Sequence, residues 1–342
     1  MILPSYKNLP IHKIASVFNH TTATYKFYWF LSILELHKRK GNKIKKIDLF
    51  SQMVVEPWYT VNYFQLSFGQ HDLLQDYIQK YKSKLSLSIN EKKENLKQLI
   101  LSDENSKKDL SHFNNNVPHK FLSPWYSSKR KAEIYSLSQK LVDNPIYSIF
   151  EDYIIISSDW SEYLRFHEKI LKDYCYWNLS LFLQKRNPSI PGIQNKLIKP
   201  AKRNSLSSLR NNYWSIYLAK KNVRCIFTDK SLNPENYELD HFVPYSFVTH
   251  DLMWNLIPID KSFNSSKSNK LPNLNKHFKA FFEIQKDAFF TVQEKNAKKF
   301  KDDYLLLFKK LETKDDFKFE LFRNTISPLI SVAKNNGFEE LN

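Results

Sequence analysis

Through most of the chain apolar residues recur at three- and four-residue spacing, the period of a helix that buries one face. TTATYKFYWFLSILELHKR (Thr21 to Arg39) carries this pattern behind threonines suited to capping a helix N-terminus. KIDLFSQMVV (Lys46 to Val55) repeats it and must stop before Pro57, because the residue ahead of a proline disfavours helical backbone. DLLQDYIQKYKSKL and EKKENLKQLILS continue the helical run, and the polar DENSKKDLSHFNNNVPHKF (Asp103 to Phe121) then reads as a loop and a sub-boundary. KAEIYSLSQKLVD and SDWSEYLRFHEKILKDYCYWNLSLFLQKR are the next helices. RNPSIPGIQNKLIKPAKRNS (Arg186 to Ser205), with its prolines and glycine, is the best domain boundary.

The period then changes. SLSSLRNNYWSIYLAKK is expected to be a helix leading into two strands, VRCIFT (Val223 to Thr228) and YELDHFVP (Tyr237 to Pro244), paired across the turn-like DKSLNPEN. After Pro272 amphipathic helices return in LNKHFKAFFEIQKDAFFTVQEKNAKKFKDDYLLLFKKL and FKFELFRNTISPLISVAKN. The pattern predicts a mainly α protein with a small α+β module: a helical recognition or regulatory region over 1–200, the module over 205–275, and C-terminal helices over 276–342 packed on it.

Charge changes this picture more than composition does. The 52 Lys and Arg against 35 Asp and Glu give a net charge of +17, which opposes compaction unless a polyanion lies against the surface. Nucleic acid is the first partner to consider, DNA ahead of RNA, with a protein partner or a homodimer left open. Candidate phosphate contacts are Lys38, Arg39, Lys40, Lys43, Lys45 and Lys46 in HKRKGNKIKK, Lys202 and Arg203 in AKR, and Lys270; the first run could equally be a solvated helix end. The aromatics of PWYTVNYFQLSFGQHD (Pro57 to Asp72) suit a base-stacking platform, but a core role is favoured.

Four glycines leave no room for a Gly-rich phosphate loop or dinucleotide fingerprint. Cys175 and Cys225 stand alone, without a C-x-x-C pair, and read as buried packers rather than a disulfide framework or a zinc knuckle. FYWFLSILEL (Phe27 to Leu36) is about half a membrane span, and the N-terminus lacks the order of a signal peptide. A cytoplasmic protein, without membrane contact, is the expectation.

One segment carries chemistry: LDHFVPYSFVTHDLMWNLIPIDKSFNSSKSNKLP (Leu239 to Pro272). Phosphodiester cleavage at neutral pH needs a base for water, a cation for the developing charge and a scaffold that holds both. An imidazole titrates near neutrality, so His241 is the natural base. Adjacent side chains on a strand point to opposite faces, which separates Asp240 from His241 and suits Asp240 to a hard cation. The amide of Asn264 offers a second oxygen, with waters and a phosphate oxygen completing a magnesium shell. Asn264 also has a plainer role open to it as a helix cap. Acid–histidine neighbours recur at His71-Asp72 and His250-Asp251, where they carry no claim of their own.

The order Asp240-His241, Asn255, Asn264, Lys267 and Asn269 resembles the HNH nuclease motif, a strand–strand–helix fold also called ββα-metal. The likeness spans roughly 223–272. It is nearest to the HNH module of the CRISPR RNA-guided DNA endonucleases, where a D-H-x-V-P-x-S-F run precedes two asparagines and a lysine. The resemblance implies a metal-dependent endonuclease with His241 as general base, Asp240 and Asn264 on Mg²⁺ (Mn²⁺ substituting), Asn255 tying the loop across the hairpin, and Lys267 near the scissile phosphate. Where many HNH proteins place two zinc-binding C-x-x-C pairs, this chain has Cys225 followed by Ile-Phe-Thr, then Asp260 and Phe263. No structural zinc is expected, and packing from the Val223 to Thr228 strand must brace the site instead. Free-standing HNH proteins of this size resemble components of bacterial restriction and anti-phage systems. The alternatives are a catalytically silent scaffold that binds nucleic acid or a partner, and a nuclease held inactive until a signal arrives.

Overall fold

The helical period holds across most of the chain because its apolar faces find one another. The computed structural model describes residues 2–200 and 204–341, with the side chains of 293–299 excepted; the candidate cations Lys202 and Arg203 lie outside the described residues. The chain divides into two compact units, Met1–Pro188 with Ile193–Lys199, and Ser189–Gly192 with Pro200–Asn342.

In the first unit, helix α1 (Tyr25–Lys40) is buried over Phe27 to Leu34 and again at Leu36, and packs between α2 (Lys46–Val55) and α3 (Glu168–Arg186). Its start departs from the expected cap. Thr24 occupies the cap position without a side-chain cap bond; its N–H and hydroxyl both donate to buried Asp72, at 2.7 and 2.8 Å. The stretch read as a loop, 103–121, is helical over Glu104–Ser111 and Val117–Phe121 with a 3₁₀ turn between them. Asp103 accepts from the N–H and hydroxyl of Ser106, while Leu110, Phe113, Val117 and Phe121 are buried, so capping and a sparse apolar stripe outweigh the polar composition. The long helix expected over 158–186 breaks at His167 into Ser158–Phe166 and α3.

Three short strands, β1 (Lys43–Lys45), β2 (Tyr147–Ile149) and β3 (Tyr153–Ile156), form an antiparallel sheet in the order β1-β3-β2. None announces itself by alternation, being three or four residues long. The aromatic stretch after Pro57 is core, with Trp58, Phe64 and Phe68 buried.

The second unit holds the α+β module. Its pairing differs from the expected hairpin. Val223–Arg224 (β4) pairs with Ser231–Leu232 (β5), while Tyr237–His241 (β6) pairs with Leu256–Asp260 (β7) in the register Tyr237↔Asp260 to His241↔Leu256. β7, LIPID, is buried along its whole length, so it lacks the half-polar alternation that exposes a strand to sequence reading. Helix α4 (Lys261–Lys267) follows β7, and α5 (Leu274–Leu305) and α6 (Phe319–Asn335) supply an aromatic core in which Phe242 stacks on Phe281 at 3.9 Å.

Candidate active site

β6, β7 and α4 form a strand–strand–helix unit, and its surroundings fix each edge. Tyr237 anchors the start of β6: its hydroxyl donates to the Arg210 carbonyl at 3.0 Å, and the Arg210 guanidinium lies over its ring at 4.8 Å. At the far end Asn255, fully buried, accepts from the Val243 N–H and donates to the Val243 carbonyl, both at 2.8 Å, while its own carbonyl accepts from Phe242 N–H. These bonds close the loop that returns the chain from β6 to β7. Gln285 of α5 donates to the Leu256 carbonyl at 2.6 Å and accepts from the Tyr304 hydroxyl, pinning the start of β7.

The brace at the other end is made by packing and polar contacts around Asp260. Cys225 Sγ accepts from the Asp260 N–H at 3.3 Å, Lys230 pairs with Asp260 at 2.7 Å, and Phe227 stacks on Phe263 at 5.4 Å. Asp260 in turn caps α4 by accepting from Ser262 N–H, and Lys230 beside it holds its carboxyl below the usual range. The β4 strand ends at Arg224, so a turn, and not the expected strand to Thr228, delivers these contacts.

Alternation along β6 places Glu238 and Asp240 on the face toward α4 and turns His241 the other way. Two contacts link strand to helix. Lys267 Nζ lies 2.6 Å from Asp240 Oδ2 and donates to the His241 carbonyl at 2.8 Å; Asn264 Nδ2 donates to Glu238 Oε2 at 2.6 Å. Lys267 is fully buried. Asp240 Oδ2 is itself buried and, despite the nearby ammonium, lacks an aligned hydrogen bond, so the contact is a charge pair that leaves the oxygen's directional capacity unused. The amide nitrogen of Asn264 is taken by Glu238, leaving its oxygen as the end available to a cation. One carboxylate and one amide oxygen suit a hard, water-rich Mg²⁺ shell, so the residues fit that ion. Among the described residues no cluster of three or more His, Cys, Asp and Glu is assembled for a metal.

On the opposite face His241 is buried against Tyr245, ring centroids 5.4 Å apart, with Nε2 at 2.8 Å from Asp251 Oδ1. A nitrogen beside an ionised carboxylate carries the proton, which leaves Nδ1 as the basic atom. Asp251 was passed over in the sequence, where its neighbour His250 made it one more chance acid–histidine pair. No spacing in the sequence marked it, because the contact depends on how the loop folds back onto His241.

Among the described candidate cations of the first unit, most are already engaged or buried. Lys38 pairs with Glu168, Arg39 with Glu35 and Glu94, and Lys40 with Asp48. Lys43 lies over the Tyr153 ring at 4.1 Å, and Lys45 is exposed. Lys46 is buried, donating to Asn114, Tyr135 and the Glu151 carbonyl, and burial pushes its pKa down to about 8; a phosphate cannot reach it. Lys270 is half-buried just beyond α4.

A family model described as HNH endonuclease matches residues 225–273, which span β5, β6, β7 and α4. The match supports a nuclease module at this position, of a family that is generally metal-dependent and acts on nucleic acid. No curated protein and no solved structure matches the chain. Among the described residues no helix is long and apolar enough to cross a membrane.

Proposed function

We propose that the chain is a metal-dependent endonuclease of the zinc-free HNH type, resembling the CRISPR-associated modules, that hydrolyses phosphodiester bonds of DNA. The observation that carries this reading is the strand–strand–helix unit that sets Asp240 and Asn264 on one side of β6 and an oriented imidazole on the other. Asp240 and Asn264 would hold Mg²⁺, with Mn²⁺ substituting. When bound, the cation supplies charge stabilisation to the pentavalent phosphorus and to the departing oxygen.

The chain's own residues do the rest. His241 Nδ1 takes a proton from water as the water oxygen bonds to phosphorus and the bond from phosphorus to the 3′ oxygen breaks; the departing 3′ oxygen takes a proton from solvent, giving 5′-phosphate and 3′-hydroxyl ends, and the imidazolium returns its proton to solvent. Asp251, bonded to Nε2–H, keeps the ring in that tautomer and steadies the imidazolium that forms. Lys267 holds the Asp240 carboxylate in place; its ammonium is fully buried and acts through that carboxylate, not by touching the phosphate itself. One such module cuts one strand.

Nicking of supercoiled plasmid tests the reading, with wild type and His241→Ala compared in Mg²⁺ and in EDTA. Nicking by wild type in Mg²⁺ alone is expected. A wild type that binds DNA yet leaves it intact across Mg²⁺ and Mn²⁺ would favour the silent scaffold.

A further inference from the structure

We infer that Glu238 is a positioning residue for the metal-holding amide: by accepting from Asn264 Nδ2 at 2.6 Å, it turns the amide oxygen toward the Asp240 side of the site. The inference rests on the reading of Asp240 and Asn264 as the cation's protein ligands. An amide side chain presents an oxygen from one end and an NH₂ from the other, and only the oxygen binds a hard cation. Without a partner the amide can rotate by half a turn and offer donors to the ion. A carboxylate accepts and never donates when ionised, so Glu238 selects one of the two orientations.

The fold makes the selection rigid. Glu238 stands opposite Ile259 in the β6–β7 ladder, two residues from Asp240 and on the same face. Asn264 and Lys267, three residues apart on α4, lie on one side of that helix. The strand pair Glu238 and Asp240 thus meets the helix pair Asn264 and Lys267, one hydrogen bond and one charge pair deep. Glu238 also lines a groove of about 320 Å³ with Ser207, Arg210, Glu235 and Lys261. A substrate-contacting role in that groove is the competing explanation, and it has a different signature: it would alter DNA binding and leave the metal alone.

The test uses the full chain. Mn²⁺ binding without DNA, followed by the paramagnetic resonance signal of free Mn²⁺, is compared for wild type, Glu238→Ala, Glu238→Gln and Asp240→Ala, alongside unfolding midpoints and the Mn²⁺ dependence of plasmid nicking. Losing a partner that orients a metal ligand weakens metal affinity by about 10- to 100-fold. That loss is expected for Glu238→Ala, and a smaller one of several-fold for Glu238→Gln, whose side chain can still accept through oxygen. Saturating Mn²⁺ should restore most of the nicking in both. If the alanine variant fails to fold, the glutamine variant decides. Mn²⁺ affinity unchanged by Glu238→Gln and Glu238→Ala, with Asp240→Ala abolishing it, overturns the role of Glu238 and leaves the nuclease reading standing. A rise in KM for DNA at unchanged Mn²⁺ affinity overturns it in favour of the groove. Wild type that binds no Mn²⁺ and cuts no DNA removes both.

Discussion

At the scale of single residues, the division of labour across β6 makes the two faces separable by mutation. His241→Ala removes the proposed proton acceptor but touches neither Asp240 nor Asn264, so plasmid nicking should fall by roughly 100- to 10,000-fold, the usual contribution of a positioned base, with Mn²⁺ binding unchanged. Asp251→Asn keeps the shape of its side chain and loses the charge that fixes the imidazole tautomer. Its nicking rate at saturating metal is expected to drop by up to about 10,000-fold, again without loss of Mn²⁺ affinity. A variant at either position that binds Mn²⁺ more weakly would show that the faces are coupled. The sequence exposed one half of this pair and hid the other. Asp240 and His241 are adjacent and were legible together, whereas the contact between His241 and Asp251 depends on how the loop folds back, which spacing alone does not encode.

At the scale of elements, the site is held by buried polar bonds at the ends of two five-residue strands. Asn255→Ala would leave the Val243 N–H and carbonyl without partners in a dry environment, at a cost of about 2–4 kcal/mol. Gln285→Leu removes the donor to Leu256 and the acceptor for Tyr304, with a smaller expected loss of about 2 kcal/mol. Urea unfolding of the two variants should show both effects, and a stability equal to wild type at Asn255 would mean that the loop does not need its tie. The helices were legible because long apolar stripes repeat; α2 runs over the predicted Lys46–Val55. The strands were legible only in part: β6 and the start of β4 fall where expected, but the others did not register. β1 to β3 are too short for alternation to register, β7 is buried along its whole length and so does not alternate, and the 103–121 segment hides its helices behind Asn and Ser. Pairing β4 with β6 followed from their closeness in sequence, but the buried LIPID strand outcompetes a neighbour that could not cover the same face.

At the scale of the whole molecule, two buried groups in the first unit set opposing pH dependences. Burial pushes Asp72 up to about 6 from 3.8, against the bonds from Thr24 and Leu74. Between pH 4 and 6 the folded chain therefore holds a proton that the unfolded chain has lost, and stability falls as pH rises. Burial, reinforced by Lys131 and Lys120, lowers His119 to about 4 from 6.5. There the unfolded chain holds the extra proton up to pH 6.5, and stability rises with pH. Asp72→Asn mimics the protonated acid, so its stability relative to wild type should climb from pH 4 to 6. His119→Gln should show the reverse trend, declining relative to wild type toward pH 6.5. Urea midpoints measured at half-unit pH steps check both, and parallel curves for all three proteins would mean that neither group titrates on unfolding.

The same scale decides how the net charge of +17 is used. Each phosphate neutralised on duplex DNA steepens the fall of log K with log salt by about 0.9. If Lys38, Arg39 and Lys40 each met a phosphate, replacing all three by alanine would flatten the slope by nearly three units. Their ammonium and guanidinium groups already sit on Glu168, Glu35, Glu94 and Asp48. Such exposed pairs are weak, so a phosphate could break them at little cost, but the four carboxylates would remain beside it and repel it. The triple variant should therefore change the slope by less than about one unit, measured by fluorescence anisotropy of a labelled duplex between 50 and 300 mM salt. A loss near three units would place the DNA on α1 after all, and would mean that its acids move away when it binds.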